Sequence, residues 1–170
     1  WHSFLLGEDA LTVVDHNSSD STTKAVLQTW NHRNNQSVSF QGPFPEKHKI
    51  LTEVLRQQTS ALIMPLDVDE YLLACLHEAA FDPKVHRSNI HEQLRRSINE
   101  SAFEKFKLGV YTTMCSWPFN ATCHFSAKPP QSMDKTYYRR ATFVATDQGN
   151  HRGKSLHDRV QRTRRLCIYH

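Results

Sequence analysis

The sequence predicts an α/β fold with a mainly parallel central sheet flanked by helices, and three observations predict it. Apolar, β-branched runs at Leu11-Thr12-Val13-Val14 and Ala61-Leu62-Ile63-Met64-Pro65-Leu66 read as buried strands. Segments of helical spacing alternate with them. Each run leads into an acidic cluster, Asp15 to Asp20 and Asp67 to Glu70, and open α/β sheets bind ligands at the carboxyl ends of their strands.

The elements follow in order. Ser21 or Thr22 caps a helix carrying Ala25, Val26, Leu27 and Trp30. Val38 and Phe40 share one face of a strand over 37–41. Gly42-Pro43-Phe44-Pro45 is a turn. Ile50, Leu51, Val54 and Leu55 give the segment 47–58 an apolar helical face. Pro65 places the end of the next strand at an edge or a bulge. Strand, helix, strand, helix, strand implies right-handed crossovers. In the second half, Asn89-Ile90-His91-Glu92 has capping-box spacing and opens a helix reaching Lys105. Strands are expected over 106–116, 123–127, 137–145 and 166–169, with loops over 128–132 and 149–153.

The 170 residues fit one domain, and 38% hydrophobic content supports a real core. No apolar run reaches the ~18 residues that a membrane helix needs. The chain opens on Trp1 rather than Met, so the natural N-terminus is expected to be missing, along with any anchor or targeting segment it carried. The net charge of +4 is concentrated in Arg159, Arg162, Arg164 and Arg165. Such a run can face nucleic acid or acidic lipid, neutralise a pyrophosphate, or stay solvated, the commonest case. No basic face is interleaved with aromatics, which argues against a nucleic-acid partner. Cys75, Cys115, Cys123 and Cys167 form no C-x-x-C pair. Cys115 and Cys123 flank a turn-like stretch and either close a hairpin disulfide or stay as thiols. N-x-S/T sequons at Asn17, Asn35, Asn99 and Asn120 lean toward the secretory pathway, with a cytoplasmic location as the alternative.

Asp67-Val68-Asp69 places two carboxylates two residues apart just past a buried strand. Hard divalent cations take oxygen ligands, and a pyrophosphate supplies more of them. Two like charges this close are costly without a cation or donors between them.

Val14-Asp15-His16-Asn17-Ser18-Ser19-Asp20-Ser21-Thr22 resembles the D-x-x-S-x-D-x-T turn of family-2-like glycosyltransferases. Leu66-Asp67-Val68-Asp69-Glu70-Tyr71-Leu72 is similar to their D-x-D-E-[FY]-[LI] motif. Trp1-His2 with Leu6-Gly7, Lys135 to Arg139, Gly149-Asn150-His151 and Cys167 to His170 resemble further segments of the same group. The resemblance implies a GT-A fold in one domain over 1–170, shortened at both ends. It divides into a nucleotide-sugar and metal half (1–73) and an acceptor half (74–170). It implies transfer of a sugar, with inversion, from a UDP- or GDP-sugar to a hydroxyl acceptor, with Mn²⁺ or Mg²⁺ as cofactor. The resemblance puts Asp15, Asp20, Asp67 and Lys135 at the nucleotide sugar, and Asp67, Asp69, His151 and His170 at the metal. Relatives carry Gly at position 17, so the turn asks Asn17 for a positive φ, which Asn tolerates.

An inverting transferase needs a base for the acceptor hydroxyl. Asp147 is the first choice, with Glu100 and Asp134 as alternatives. Trp117, Pro118 and Phe119 form either a sugar-stacking platform or a packed hairpin tip. The competing reading is a non-catalytic glycan- or nucleotide-binding domain. The Asp pair is too close for the two-sided geometry of glycosidases.

Overall fold

The structure is a computed structural model that describes residues 1–34, 37–40, 43, 46–74, 82–100, 102–111, 113–114, 124–125 and 134–169. It is a mixed α/β fold. Its order is α1 (His2–Leu6), β1 (Val13–Asp15), α2 (Ser21–Asn34), β2 (Ser37–Ser39), α3 (Lys47–Gln57), β3 (Leu62–Ile63), β4 (Tyr71–Ala74) and α4 (Pro83–Asn99). There follow β5 (Lys105–Tyr111), β6 (Thr113–Met114), β7 (His124–Phe125), β8 (Lys135–Arg139), β9 (Phe143–Ala145), β10 (Lys154–Ser155) and β11 (Val160–Tyr169).

The expected alternation over the first two strands exists as a βαβ unit, with β1 parallel to β2 across α2. That pair forms its own two-stranded sheet, and all three β1 residues stay half-buried. The main sheet has five strands in the order β3-β8-β5-β11-β4. Only β5 and β11 pair in parallel; β3 with β8, β8 with β5, and β11 with β4 are antiparallel. The sheet is therefore mixed rather than mainly parallel. The reason is that strands from the second half enter it, and β8 inserts between β3 and β5 with reversed direction.

The alternation of a two-residue period gives this sheet two apolar faces. On one, Phe106, Leu108, Val110, Tyr137, Leu72 and Ile168 pack with Leu5 of α1 and Ile90 of α4. Phe106 and Tyr137 are cross-strand partners with rings stacked 4.7 Å apart, a pair that adds to plain burial. On the other, Tyr138 and Ile63 pack with Leu55 of α3 and with Phe143.

Edge strand β4 is covered by side chains, which blocks pairing with another chain. The Trp1 indole donates to the Leu72 carbonyl at 2.8 Å, and the Leu72 amide donates to His2 Nε2 at 3.3 Å. The Ala74 amide donates to His86 Nδ1 at 3.2 Å. Burial, joined for His2 by the N-terminal ammonium, holds both imidazoles below their ordinary pKa, which suits them as neutral acceptors.

Two helix starts differ from expectation. Asp20, not Ser21 or Thr22, caps α2, accepting from the Thr23 amide at 2.8 Å. Helix α4 begins at Pro83 rather than Asn89, because Asp82 accepts from the Lys84 amide at 2.8 Å and Pro83 supplies a favourable first-turn residue. The expected strand over 137–145 is broken by a 3-10 turn at Arg140–Thr142. The last strand is longer than expected, running from Val160 with an irregularity between Arg162 and Cys167. No helix among the described residues is long and apolar enough to cross a membrane.

Candidate functional site

Strands β3 and β4 occupy opposite edges of the sheet, so the chain between them must cross one end of it. The strand directions place the carboxyl ends of β3, β5 and β11 at that end, together with the start of β8. Residues 64–70 make the crossing, and Asp67, Val68, Asp69 and Glu70 form its turn. The Asp67 amide donates to Glu70 Oε2 at 2.8 Å, and the Glu70 amide donates to the Asp67 carbonyl at 3.1 Å. Glu70 is buried, whereas Val68 and Asp69 are exposed.

Two lysines neutralise this turn. Lys135, at the start of β8 and buried, donates to Asp67 Oδ2 at 2.8 Å and lies 2.9 Å from Glu70 Oε1. Lys47, at the start of α3, donates to Asp67 Oδ1 at 3.0 Å. Partial burial alone would push the Asp67 carboxyl up, but Lys135 and Lys47 outweigh it and hold it below the ordinary carboxylate range. Burial alone would lower the Lys135 ammonium, but Asp67 and Glu70 outweigh it and raise it.

A loop over 147–153 closes the far side. The Gly149 carbonyl accepts from Lys135 Nζ at 3.0 Å. Asp147 holds the loop's shape: its two oxygens accept from the His151 amide at 2.7 Å and the Arg152 amide at 3.0 Å. His151 directs Nδ1 at the Asp134 carbonyl, 2.9 Å away, while the Asp134 side chain pairs with Arg162 at 3.2 Å. A Cβ at Gly149 would collide with the His151 ring.

The residue that anchors this loop is Asn150, buried and at φ 56. Its Nδ2 donates to the Pro65 carbonyl at 2.7 Å and the Thr136 carbonyl at 2.9 Å. Its Oδ1 accepts from the Thr146 hydroxyl at 2.8 Å and the Tyr138 hydroxyl at 3.0 Å. All four hydrogen-bonding positions of the amide are used. Sequence reasoning saw Asn150 only as the middle of a motif. A Gly-Asn pair at a loop was the available signal for positive φ, but its partners were invisible.

The other expected site residues are placed elsewhere. Asp15, at the end of β1, accepts from the Ser18 amide and, at 2.5 Å, from the Ser18 hydroxyl. Asn17 takes φ 53, as the turn requires. Asp20 is committed to the α2 cap, and the Thr23 hydrogen bond lowers its pKa. Among the described residues, no hydrogen bond or ion pair joins Asp15 or Asp20 to the Asp67 cluster. Glu100 ends α4. His170, the Cys115 and Cys123 pair, and Trp117, Pro118 and Phe119 lie outside the described residues. Cys167 is disulfide-bonded, and the cysteines available as partners lie outside them as well.

Among the described residues, no three His, Cys, Asp or Glu side chains converge as a metal set. A hard cation held by one or two carboxylates plus substrate phosphates does not need such a set, and exposed Asp69 beside Asp67 fits that mode. Comparison with protein-family models and with curated proteins returns no match. The class that fold and site define is a mixed α/β domain with a lysine-neutralised acidic turn at the carboxyl ends of three strands.

Proposed function

We propose that the chain is the catalytic domain of a metal-dependent, inverting glycosyltransferase of GT-A type. It moves a sugar from a UDP- or GDP-sugar to a hydroxyl acceptor. The observation that carries this reading is the charge balance at the acidic turn. Asp67 and Glu70 are paired with Lys47 and Lys135, and Asp69 adds a third carboxylate on the exposed side of the turn. A carboxylate there does not favour a bare pyrophosphate, and a divalent cation would bridge the two.

In this reading Asp69, with Asp67 beside it, holds Mn²⁺ or Mg²⁺, whose chemistry is to stabilise charge on the departing nucleoside diphosphate. Lys135 and Lys47 are positioning residues: they fix the Asp67 carboxylate and thereby the turn. Exposed Tyr71, next to Glu70, offers a ring on which a sugar or base can stack. Asp147 is the proposed base; two backbone amides fix its carboxylate, and lone pairs remain to accept the acceptor's proton. The sequons and the disulfide at Cys167 support a secretory setting.

The test is calorimetry with UDP and GDP, each with and without Mn²⁺, on the chain and on Asp69→Asn. Metal-dependent binding that disappears in the variant is expected. A folded chain that binds neither nucleotide with Mn²⁺ would sink the reading. A second reading, a nucleotide- or glycan-binding domain without turnover, is favoured by the pairing of both Asp67 oxygens with lysines. Binding of the donor without its hydrolysis or transfer would select it.

A further inference from the structure

The sheet face opposite α1 and α4 carries a group of residues that the acidic turn does not use. Lys105 and Lys107 stand two residues apart on β5, on the side that Phe106 and Leu108 leave. Lys107 is in register with Thr136 on β8. The chain from Arg152 to Asp158 borders them and brings Arg152 and Lys154 to the same open cleft. Together they line a cavity of about 500 Å³. Four cations and one carboxylate, Asp158, face it.

The pairing inside is uneven. Lys105 is 9% exposed at its side chain and is held at 2.6 Å by Asp158, which is 91% exposed. A buried ammonium needs a counter-charge, and here that charge comes from solvent-facing Asp158. The buried ammonium must keep a counter-charge, so exposed Asp158 can give way only to another anion that takes its place. Lys107 is held at 3.1 Å by the His151 carbonyl, a neutral acceptor. Arg152 and Lys154 are exposed. The cavity is larger than a bare oxyanion fills and within the range of small-ligand sites.

We propose that this cavity is a second binding site, for a hexose-sized ligand carrying a phosphate or sulfate ester, with the oxyanion seated among Lys105, Lys107, Arg152 and Lys154. Lys105 is three residues along β5 from Leu108, the register partner of Lys135, about 10 Å at the strand repeat. The cluster lies on the opposite face of the sheet from Lys135 and, among the described residues, adjoins the acidic turn only through Lys107 and Thr136, and it does not depend on the transferase reading. Its ester group replaces the Asp158 carboxylate on Lys105.

Calorimetry on the full chain tests it, with glucose 6-phosphate, N-acetylglucosamine 6-sulfate, glucose and inorganic phosphate as probes. At least one ester is expected to bind, glucose is not, and the stronger ester identifies the source of the oxyanion. Arg152→Gln/Lys154→Gln changes only exposed side chains and should weaken ester binding about ten-fold or more. Lys49→Gln/Arg95→Gln, an equal charge change elsewhere, should leave it unaltered. Asp158→Asn should tighten it, and Asp69→Asn should not change it. Inorganic phosphate binding as well as the esters, equal weakening in both double variants, or no ester binding at all would overturn the proposal.

Discussion

The Asp15 turn ends β1, a half-buried strand of a two-stranded sheet, and its carboxylate is spent on Ser18, three residues away. The Asp67 turn spans the end of a five-stranded sheet with apolar packing on both faces, and its carboxylate is gripped by lysines 20 and 68 residues distant in sequence. Two stretches of similar appearance in the sequence are thus built differently, one by local chain geometry and one by tertiary contacts. The difference teaches where each turn is vulnerable. A local turn loses little when one side chain changes, whereas a turn assembled from three segments depends on its buried anchors.

Substitutions can break that contrast. Asn150→Ala should be the most damaging, because it removes four hydrogen bonds, to two carbonyls and two hydroxyls, in a buried position and leaves alanine at φ 56. A loss of about 4 kcal/mol is expected in urea unfolding. A loss below about 1 kcal/mol would mean that the loop is not anchored there.

Lys135→Met comes next. It leaves buried Glu70 without its cation and Asp67 with only Lys47, and removing one member of a buried pair costs about 3 kcal/mol. Lys47→Met, at a partly exposed pair, should cost under about 1 kcal/mol. Equal effects would erase the distinction between the two anchors.

The same turn should show in the pH dependence of stability. The Asp67 contribution is present above its unfolded pKa of about 3.9 and is lost as pH falls through the lower folded value. The Lys135 contribution is present below about pH 10.4 and is lost as pH rises through the higher folded value. Wild type and Lys135→Met should therefore differ most between these limits, and curves that stay parallel at both extremes would contradict it.

The smallest effects belong to the Asp15 turn. Asn17→Gly should leave stability within about 0.5 kcal/mol, because glycine accepts φ 53 freely. Asn17→Val should cost about 1–2 kcal/mol for the strained backbone. If Asn17→Gly proved as costly as Asn150→Ala, the Asp15 turn would be no less dependent on tertiary contacts than the other.

The sequence by itself determined what depends on neighbours along the chain. The helical face of Ile50, Leu51, Val54 and Leu55, the strands before both acidic turns, and the positive φ at Asn17 all follow from residue type and short spacing. Even there, Asp20 and Asp82 took the caps that nearby serine, threonine and asparagine were expected to fill, since several competent residues compete at each helix start. Tertiary structure alone decided the rest. Strand order and direction depend on which segments pair across long separations, so β8 could enter between β3 and β5 and turn a parallel expectation into a mixed sheet. Lys135 on Asp67, Asn150 on Pro65 and the cluster around Lys105 are likewise contacts between distant segments. No local pattern encodes them, because hydrogen bonds and charges act through space and the chain's path sets which groups meet.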